Sequence, residues 1–212
     1  MKVTEYWDAV AQTYLDLFRD EFDDKPFDLA ILRSFAAHFQ QTRSVVDVGC
    51  GPCGALSRIL SGHGLTVTGI DISSKCVALA KTEQPGLDFA VMDMAEMAFS
   101  DKAFDGLIAY YALHYTPLSD LPATVSEFAR VLKPGGRLLL VAKEGDGEGW
   151  IDDPLGITDR VFWSAPSLND LQNLLTDNGF TISDCQVRKP HAQEIDVRRI
   201  YLSAESSSAR IS

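Results

Sequence analysis

Long apolar runs are missing from this 212-residue sequence. Nowhere do about 18 apolar residues follow one another, so no membrane-spanning helix is readable. The opening stretch MKVTEYWDAVAQTYLDLF has no apolar h-region and no small-residue cleavage site, which argues for a cytoplasmic chain. Positive charge is scarce: 19 basic residues stand against 30 acidic ones, a formal charge of −11. A surface of that sign repels phosphate backbones and anionic lipid, so neither nucleic acid nor membrane is expected as the main partner. The visible basic groupings are two adjacent pairs, Arg188/Lys189 and Arg198/Arg199. Cysteine and histidine number four each. Cys50 and Cys53 have C-x-x-C spacing, but no second pair or histidine cluster completes a zinc site. Both lie inside a glycine loop and read as small, reduced residues in a turn, so no metal site is expected. Internal repeats and low-complexity blocks are absent too.

What remains is an ordinary composition, 46% hydrophobic, enough for one α/β domain with a sizeable core. Two amphipathic helices come first, one over about Thr4–Arg19 and one starting at Pro26, which suits a first helical position. Strands follow in alternation with helices: Ser44–Val48, Thr66–Ile70, Asp88–Val91, Gly106–Ala109 and Arg137–Val141. Ser73 reads as an N-cap. Alternation at this spacing implies βαβ units and a mainly parallel sheet. The acidic, glycine-rich stretch from Glu144 to Pro154 reads as a mobile loop. A helix over Ser167–Asn178 ends at Gly179, a natural residue to follow a helix. Two last strands, Thr181–Arg188 and Ile195–Ser203, are joined by too short a connection for a crossover helix and should be antiparallel. The expected organisation is a helical cap (1–42), a binding core (43–142), an insert with helix and terminal hairpin (143–203) and a polar, frayed tail (204–212).

Gly49-Cys50-Gly51-Pro52-Cys53-Gly54 is a G-x-G-x-x-G between a strand and a helix, where glycines permit a sharp turn and close ligand approach. Asp71, 22 positions after Gly49 at the exposed end of the second strand, can accept both hydroxyls of a ribose. Nicotinamide dinucleotides and S-adenosylmethionine both use such an arrangement. Three features favour the second. Asp47, inside the first strand, suits a cationic amino-acid end and opposes a pyrophosphate. Asp93 follows the third strand, where it can accept from an adenine amine. The chain also ends in an antiparallel hairpin rather than further parallel strands. Asp47 could instead cap local N–H groups, and Asp93 could merely start a turn.

The segments VVDVGCGPCG, VTGIDIS, FAVMDM, FDGLIAYYALHY and LKPGGRLLLV, in this order over about residues 43–142, resemble the successive motifs of class I S-adenosylmethionine-dependent methyltransferases. FWSAPSLNDLQNLLTDNGF resembles the late helix of small-molecule members. The resemblance implies a Rossmann-like, doubly wound seven-stranded sheet in order 3-2-1-4-5-7-6, strand 7 antiparallel, with N-terminal helices. It implies S-adenosyl-L-methionine as cofactor, S-adenosyl-L-homocysteine as product and a small-molecule acceptor, in a monomer or homodimer. By position, Asp47, Gly49, Cys50 and Gly51 would surround the methionine portion. Asp71 would hold the ribose, Ile72 would pack on adenine, and Asp93 with the Met94 N–H would read the adenine edge. Ala109 stands where a carbonyl commonly receives the methionine amine. Pro52 and Cys53 depart from the family's usual small or flexible residues.

Methyl transfer from a sulfonium needs alignment and water exclusion above all, and a general base only for some acceptors. Tyr110, Tyr111, His114 and Tyr115 follow the fourth strand, at the edge where open α/β sheets bind ligands. If the segment is helical, Tyr110 and His114 share a face. His114 has the intrinsic pKa of a base, although it could equally be a packed, hydrogen-bonded histidine. Tyr6, Trp7 and Tyr14 could belong to a lid, Tyr14 touching the methionine carboxylate or sulfonium, or could be core. Trp150 and Trp163 flank the insert, whereas His191 and Arg198 carry no spacing argument. A cofactor-binding regulator without catalysis and an NAD-dependent oxidoreductase are the competing readings.

Overall fold

The computed structural model describes residues 2–39, 43–191 and 194–207. Ala192, Gln193 and the end of the expected polar tail, 208–212, lie outside the described residues. Two compact units emerge, Met1–Met94 with Asp152–Val161, and Ala95–Ile151 with Phe162–Ser212.

In the first unit, β1 (Ser44–Val48) pairs parallel with β2 (Thr66–Asp71), and β2 pairs parallel with β3 (Asp88–Val91). Val45, Val46, Val48 and Ile70 are buried, as expected of strands covered by helices on both faces. Four helices accompany them: α1 (Val3–Phe18), α2 (Pro26–Ala37), α3 (Ala55–Gly62) and α4 (Ser74–Glu83). Pro26 opens α2 where its missing N–H costs nothing. Ser73 caps α4, its hydroxyl accepting from the Cys76 N–H at 3.0 Å.

The second unit carries β4 (Phe104–Tyr110), parallel to β5 (Leu132–Lys143), with α5 (Leu121–Val131) between them. β5 starts five residues earlier than the sequence suggests, because Leu132 already pairs with Phe104 and a register shift absorbs Pro134-Gly135-Gly136. The stretch read as a mobile loop is structured instead. β6 (Gly147–Asp152) pairs with β7 (Arg160–Ala165) in a separate two-stranded sheet. Alternate glycines hide a strand whose partner lies further along the chain. α6 (Leu168–Asp177) is capped by Ser167, which accepts from the Asp170 N–H at 3.1 Å, and ends before Gly179 at φ +81°.

β8 (Phe180–Arg188) and β9 (Arg199–Ser206) are antiparallel, and β9 is antiparallel to β5. β9 begins later than Ile195. Glu194 accepts both arms of the Arg188 guanidinium (2.6 and 2.9 Å) and the His191 N–H (2.9 Å). The main sheet has seven strands in order β3-β2-β1-β4-β5-β9-β8. This is the expected 3-2-1-4-5-7-6 arrangement with the β6–β7 hairpin inserted ahead of the last two strands. Among the described residues no helix is long and apolar enough to cross a membrane, and no cluster of three or more His, Cys, Asp or Glu could hold a metal ion.

Candidate cofactor and acceptor site

β1 leads into a turn that requires φ of +70° at Gly49 and +63° at Gly51, where only glycine is unstrained. The Gly49 and Cys50 amides both donate to the Ile70 carbonyl (2.8 and 3.0 Å), and the Gly51 amide donates to Asp71 Oδ2 (3.1 Å). Three successive loop amides are thus turned inward onto the end of β2. A dinucleotide's pyrophosphate is held by loop amides aimed at the ligand, and these are already committed. A Cβ added at Gly51 would meet nothing within 4 Å, which leaves room beside the loop. Gly54 and Gly69 serve packing instead: a Cβ there would lie 2.8 and 2.5 Å from Phe89 ring atoms. The Cys50 side chain joins Val77, Ala80 and Phe89 in that buried cluster, so this residue offers a ligand its backbone rather than its thiol.

Asp71 is only 8% exposed, in contrast to the exposed strand end expected from sequence. Its Oδ1 accepts from the Ser73 N–H (2.9 Å) and its Oδ2 from Gly51. Each oxygen keeps a second lone-pair direction for a hydroxyl. Burial raises its pKa, opposed by the amides of Ser73 and Gly51.

Asp47 is fully buried. Oδ2 accepts from the Ser57 hydroxyl at 2.7 Å, whereas Oδ1 has no hydrogen-bond partner in the protein. Burial pushes the carboxyl up to about 6, against the Ser57 bond and with help from the negative charge of Asp71. A buried oxygen without a donor costs stability. The cap role that sequence left open for Asp47 is thus half taken, by a hydroxyl from α3.

Ile72 is half-buried in the turn after β2. The Met92 amide donates to the Asp71 carbonyl at 2.9 Å, which holds the segment carrying exposed Asp93 and half-buried Met94 against the end of β2. Tyr14 sits half-buried on α1, edge-on to Trp7 (5.3 Å) and tilted on Phe18 (4.5 Å). Its helix is tied to α4 through Asp8, which accepts from the Ser73 hydroxyl (2.6 Å) and the Lys75 amide (3.2 Å). Tyr6 is core, and its hydroxyl donates to Asp153 (2.9 Å). Sequence reasoning missed Asp8 and Ser57, and no local signal could have found them, since their partners lie 65 and 10 positions away.

In the second unit, Ala109 and Tyr110 end β4, buried and paired with Leu140 and Val141. Tyr111 then takes φ +57°, rare for a bulky residue, while its amide still bonds the Val141 carbonyl at 2.8 Å. A short 3-10 turn, Ala112–Tyr115, follows. Tyr110 therefore lies in the strand, and the helical pairing of Tyr110 with His114 is not realised. His114 is 1% exposed. Its Nδ1–H donates to the Ser164 carbonyl (3.0 Å) and its Nε2 accepts the Lys143 N–H (3.0 Å), which fixes a neutral tautomer. Burial, with the positive charges of Lys143 and Arg199, pulls its pKa down to about 3 despite the Ser164 bond. Its ring lies flat on Trp163, 4.5 Å away and 5° from parallel. The Lys143 ammonium stands 5.3 Å from the Tyr111 ring centre and 4.9 Å from that of Trp163. Lys143 was absent from the sequence reading, because a lysine ending a strand carries no pattern of its own.

The doubly wound sheet ends in an antiparallel hairpin, with a buried carboxylate inside β1 and a glycine turn whose amides point inward. A methyltransferase domain family matches residues 46–140. A phosphatidylethanolamine N-methyltransferase from Cereibacter sphaeroides is 33% identical over 141 residues, covering 63% of this chain and 68% of that protein. An O-methyltransferase from Pyrenophora dematioidea is 29% identical over 164 residues, or 71% of this chain. The chain spans only 59% of that relative's length. The crystal structure of a SAM-dependent methyltransferase from Methanosarcina mazei superposes with a TM-score of 0.73 at 25% identity, covering 84% of this chain and 97% of that one. The chain belongs to the class I S-adenosylmethionine-dependent methyltransferases, a family of enzymes whose cofactor is S-adenosylmethionine.

Proposed function

We propose that this chain transfers a methyl group from S-adenosyl-L-methionine to an O or N atom of a small molecule by in-line displacement. The observation that carries the reading is Asp47 Oδ1, a fully buried carboxylate oxygen with no donor in the protein. It lies in the strand that feeds the Gly49–Gly51 turn. The cationic amino-acid end of the cofactor supplies the missing partner, with the Gly49, Cys50 and Gly51 backbone around it. Asp71 takes the ribose hydroxyls on its remaining lone pairs, Ile72 packs on adenine, and Asp93 and the Met94 amide read the adenine edge. Tyr14 closes over the methionine end. The bound cofactor contributes an activated methyl group with its leaving group built in, so the protein's task is to orient and to exclude water.

His114 is a positioning residue in this reading. Proton abstraction needs a nitrogen lone pair, and the Lys143 amide occupies the one it has. Tyr110, packed edge-on against Tyr111 at 4.6 Å, shapes the same wall. Both O- and N-methyltransferases are among the relatives. The chain acts as a monomer or homodimer.

The test is ligand-induced stabilisation followed by turnover. S-adenosylhomocysteine should raise the melting temperature and NAD should not, since a ligand of the native state stabilises by mass action. A rise with NAD alone refutes the reading. Labelled S-adenosylmethionine, offered with a panel of small metabolites, should then yield methylated product. Binding without any turnover would favour a non-catalytic cofactor-binding subunit.

A further inference from the structure

Three elements hold the Asp71 carboxylate, and one of them comes from far along the chain. The glycine turn supplies the Gly51 amide to Oδ2 (3.1 Å), and the turn into α4 supplies the Ser73 amide to Oδ1 (2.9 Å). The third element is α1, which acts on Ser73 from 65 positions away. Its Asp8 accepts the Ser73 hydroxyl at 2.6 Å and the Lys75 amide at 3.2 Å, both on Oδ1. A further tie runs from the Cys76 thiol to the Trp7 carbonyl at 3.9 Å.

Ser73 is fully buried, and its hydroxyl is used twice. A lone pair takes the Cys76 N–H at 3.0 Å, and the proton goes to Asp8. Capping α4 needs only the lone pair, so the bond to Asp8 does something more. It fixes the hydroxyl from its second side and holds Ser73 at φ −86° and ψ 121°, the conformation whose N–H meets Asp71. Without Asp8 a buried hydroxyl loses its acceptor, which is costly, and a serine hydroxyl so freed competes for neighbouring main-chain groups. The turn then relaxes, and the amide that aims Asp71 Oδ1 moves with it. A side chain that binds a ligand keeps its geometry only while the groups behind it are themselves locked. The Asp8 charge also reaches Asp71, adding to the burial that raises its pKa, so the bond and the charge need separate variants.

We infer that Asp8 is a positioning residue for the cofactor: through Ser73 it holds the Asp71 carboxylate in the orientation that accepts the ribose hydroxyls, which makes α1 part of the ribose seat. This rests on the assignment of Asp71 to the ribose. Calorimetric titration of the full chain tests it with S-adenosylhomocysteine and its 2′,3′-dideoxy analogue, which lacks only the two ribose hydroxyls. The wild type should prefer S-adenosylhomocysteine roughly 10- to 100-fold. Asp8→Ala should cut that preference roughly fivefold, the effect of one hydrogen bond, and leave affinity for the analogue unchanged. Asp8→Asn keeps an Oδ1 acceptor and removes the charge, so it should retain the preference to within about twofold. In an Asp71→Asn background, Asp8→Ala should lower S-adenosylhomocysteine affinity no further. Melting temperatures check that each variant is folded, and Asp8→Ser carries the same prediction as Asp8→Ala should the alanine variant not fold. A lower melting temperature with an undiminished preference means that Asp8 only braces α1 and overturns the inference. Loss of preference in Asp8→Asn equal to that in Asp8→Ala, or a full further loss in the Asp71→Asn background, overturns it too. A wild type that binds both ligands equally removes Asp71 from the ribose and the inference with it. One that binds neither refutes the methyltransferase reading itself.

Discussion

Replacing Asp47 with asparagine separates a structural residue from a ligand residue, because stability and binding should move in opposite directions. The carboxyl is fully buried and raised from 3.8 to about 6. Keeping it ionised in the native state therefore costs about 3 kcal/mol at neutral pH, at ~1.4 kcal/mol per pKa unit. The sign follows from proton counting. Between pH 3.8 and about 6 the native state holds a proton that the unfolded chain has released. Stability from this group is therefore present at low pH and lost as pH rises through about 6. Asparagine keeps an acceptor for the Ser57 hydroxyl and removes the charge, while its amide N–H2, left without a partner, returns about 1 kcal/mol of cost. The net expectation at pH 8 is about 2 kcal/mol of added stability, or roughly 4–8 °C in melting temperature for a chain of this size. The gain should vanish by pH 4. Over the same change, S-adenosylhomocysteine affinity should fall roughly 10- to 100-fold, through loss of a buried charge-assisted contact. Thermal scans from pH 4 to 8 and calorimetry at pH 8 read both quantities. A variant that melts lower and binds as before would show that Asp47 only braces α3.

The wild-type protein should also bind S-adenosylhomocysteine more weakly below pH 6, since protonation of Asp47 removes its attraction for the amine. Asp71→Asn, which keeps an acceptor for the Ser73 or Gly51 amide, should lose about 1.5–3 kcal/mol of cofactor binding and stay folded. Asp71→Ala, which leaves both amides without their acceptor, should melt lower as well; unchanged affinity in folded Asp71→Asn would remove it as the ribose ligand. His114 titrates near 3 when folded against an ordinary 6.5, so its neutral, buried form favours folding above pH 6.5 and that contribution is lost as pH falls toward 3. Denaturant unfolding should show the gap between wild type and His114→Gln narrowing by roughly 3 kcal/mol from pH 7 to 4.5; a constant gap refutes the assignment. Gly69→Ala places a Cβ 2.5 Å from Phe89 Cδ1 and should cost about 1–3 kcal/mol. Phe89→Leu should recover part of that loss in the double variant, and additive destabilisation would show that the ring is not the obstacle.

Local chemistry made much of this molecule readable in one dimension. Short β-branched runs and intervening amphipathic segments set the strands of the parallel half, because side-chain periodicity is a property of neighbours in sequence. Ser73, Ser167, Pro26 and Gly179 mark helix ends for the same reason: caps bond to amides a few residues away. Gly49, Gly51 and Asp71 were legible because a turn and a strand end are local too. The acidic stretch after β5 was misread, since a glycine-rich strand is defined by β7 across from it and not by its own pattern. Tertiary structure alone decided the state of the chemical groups. Asp47 lacks a second donor only once α3 folds over it, and Asp71 is covered only when the loop amides turn inward. His114 looks like a base in isolation and becomes a neutral brace because Ser164 and Lys143, 50 and 29 positions away, occupy its two nitrogens. The sequence by itself determined which elements form and where the glycine turn falls, since those depend on residues within a few positions. Protonation, burial and free lone pairs depend on groups distant in the chain, and only the folded structure brings those groups together.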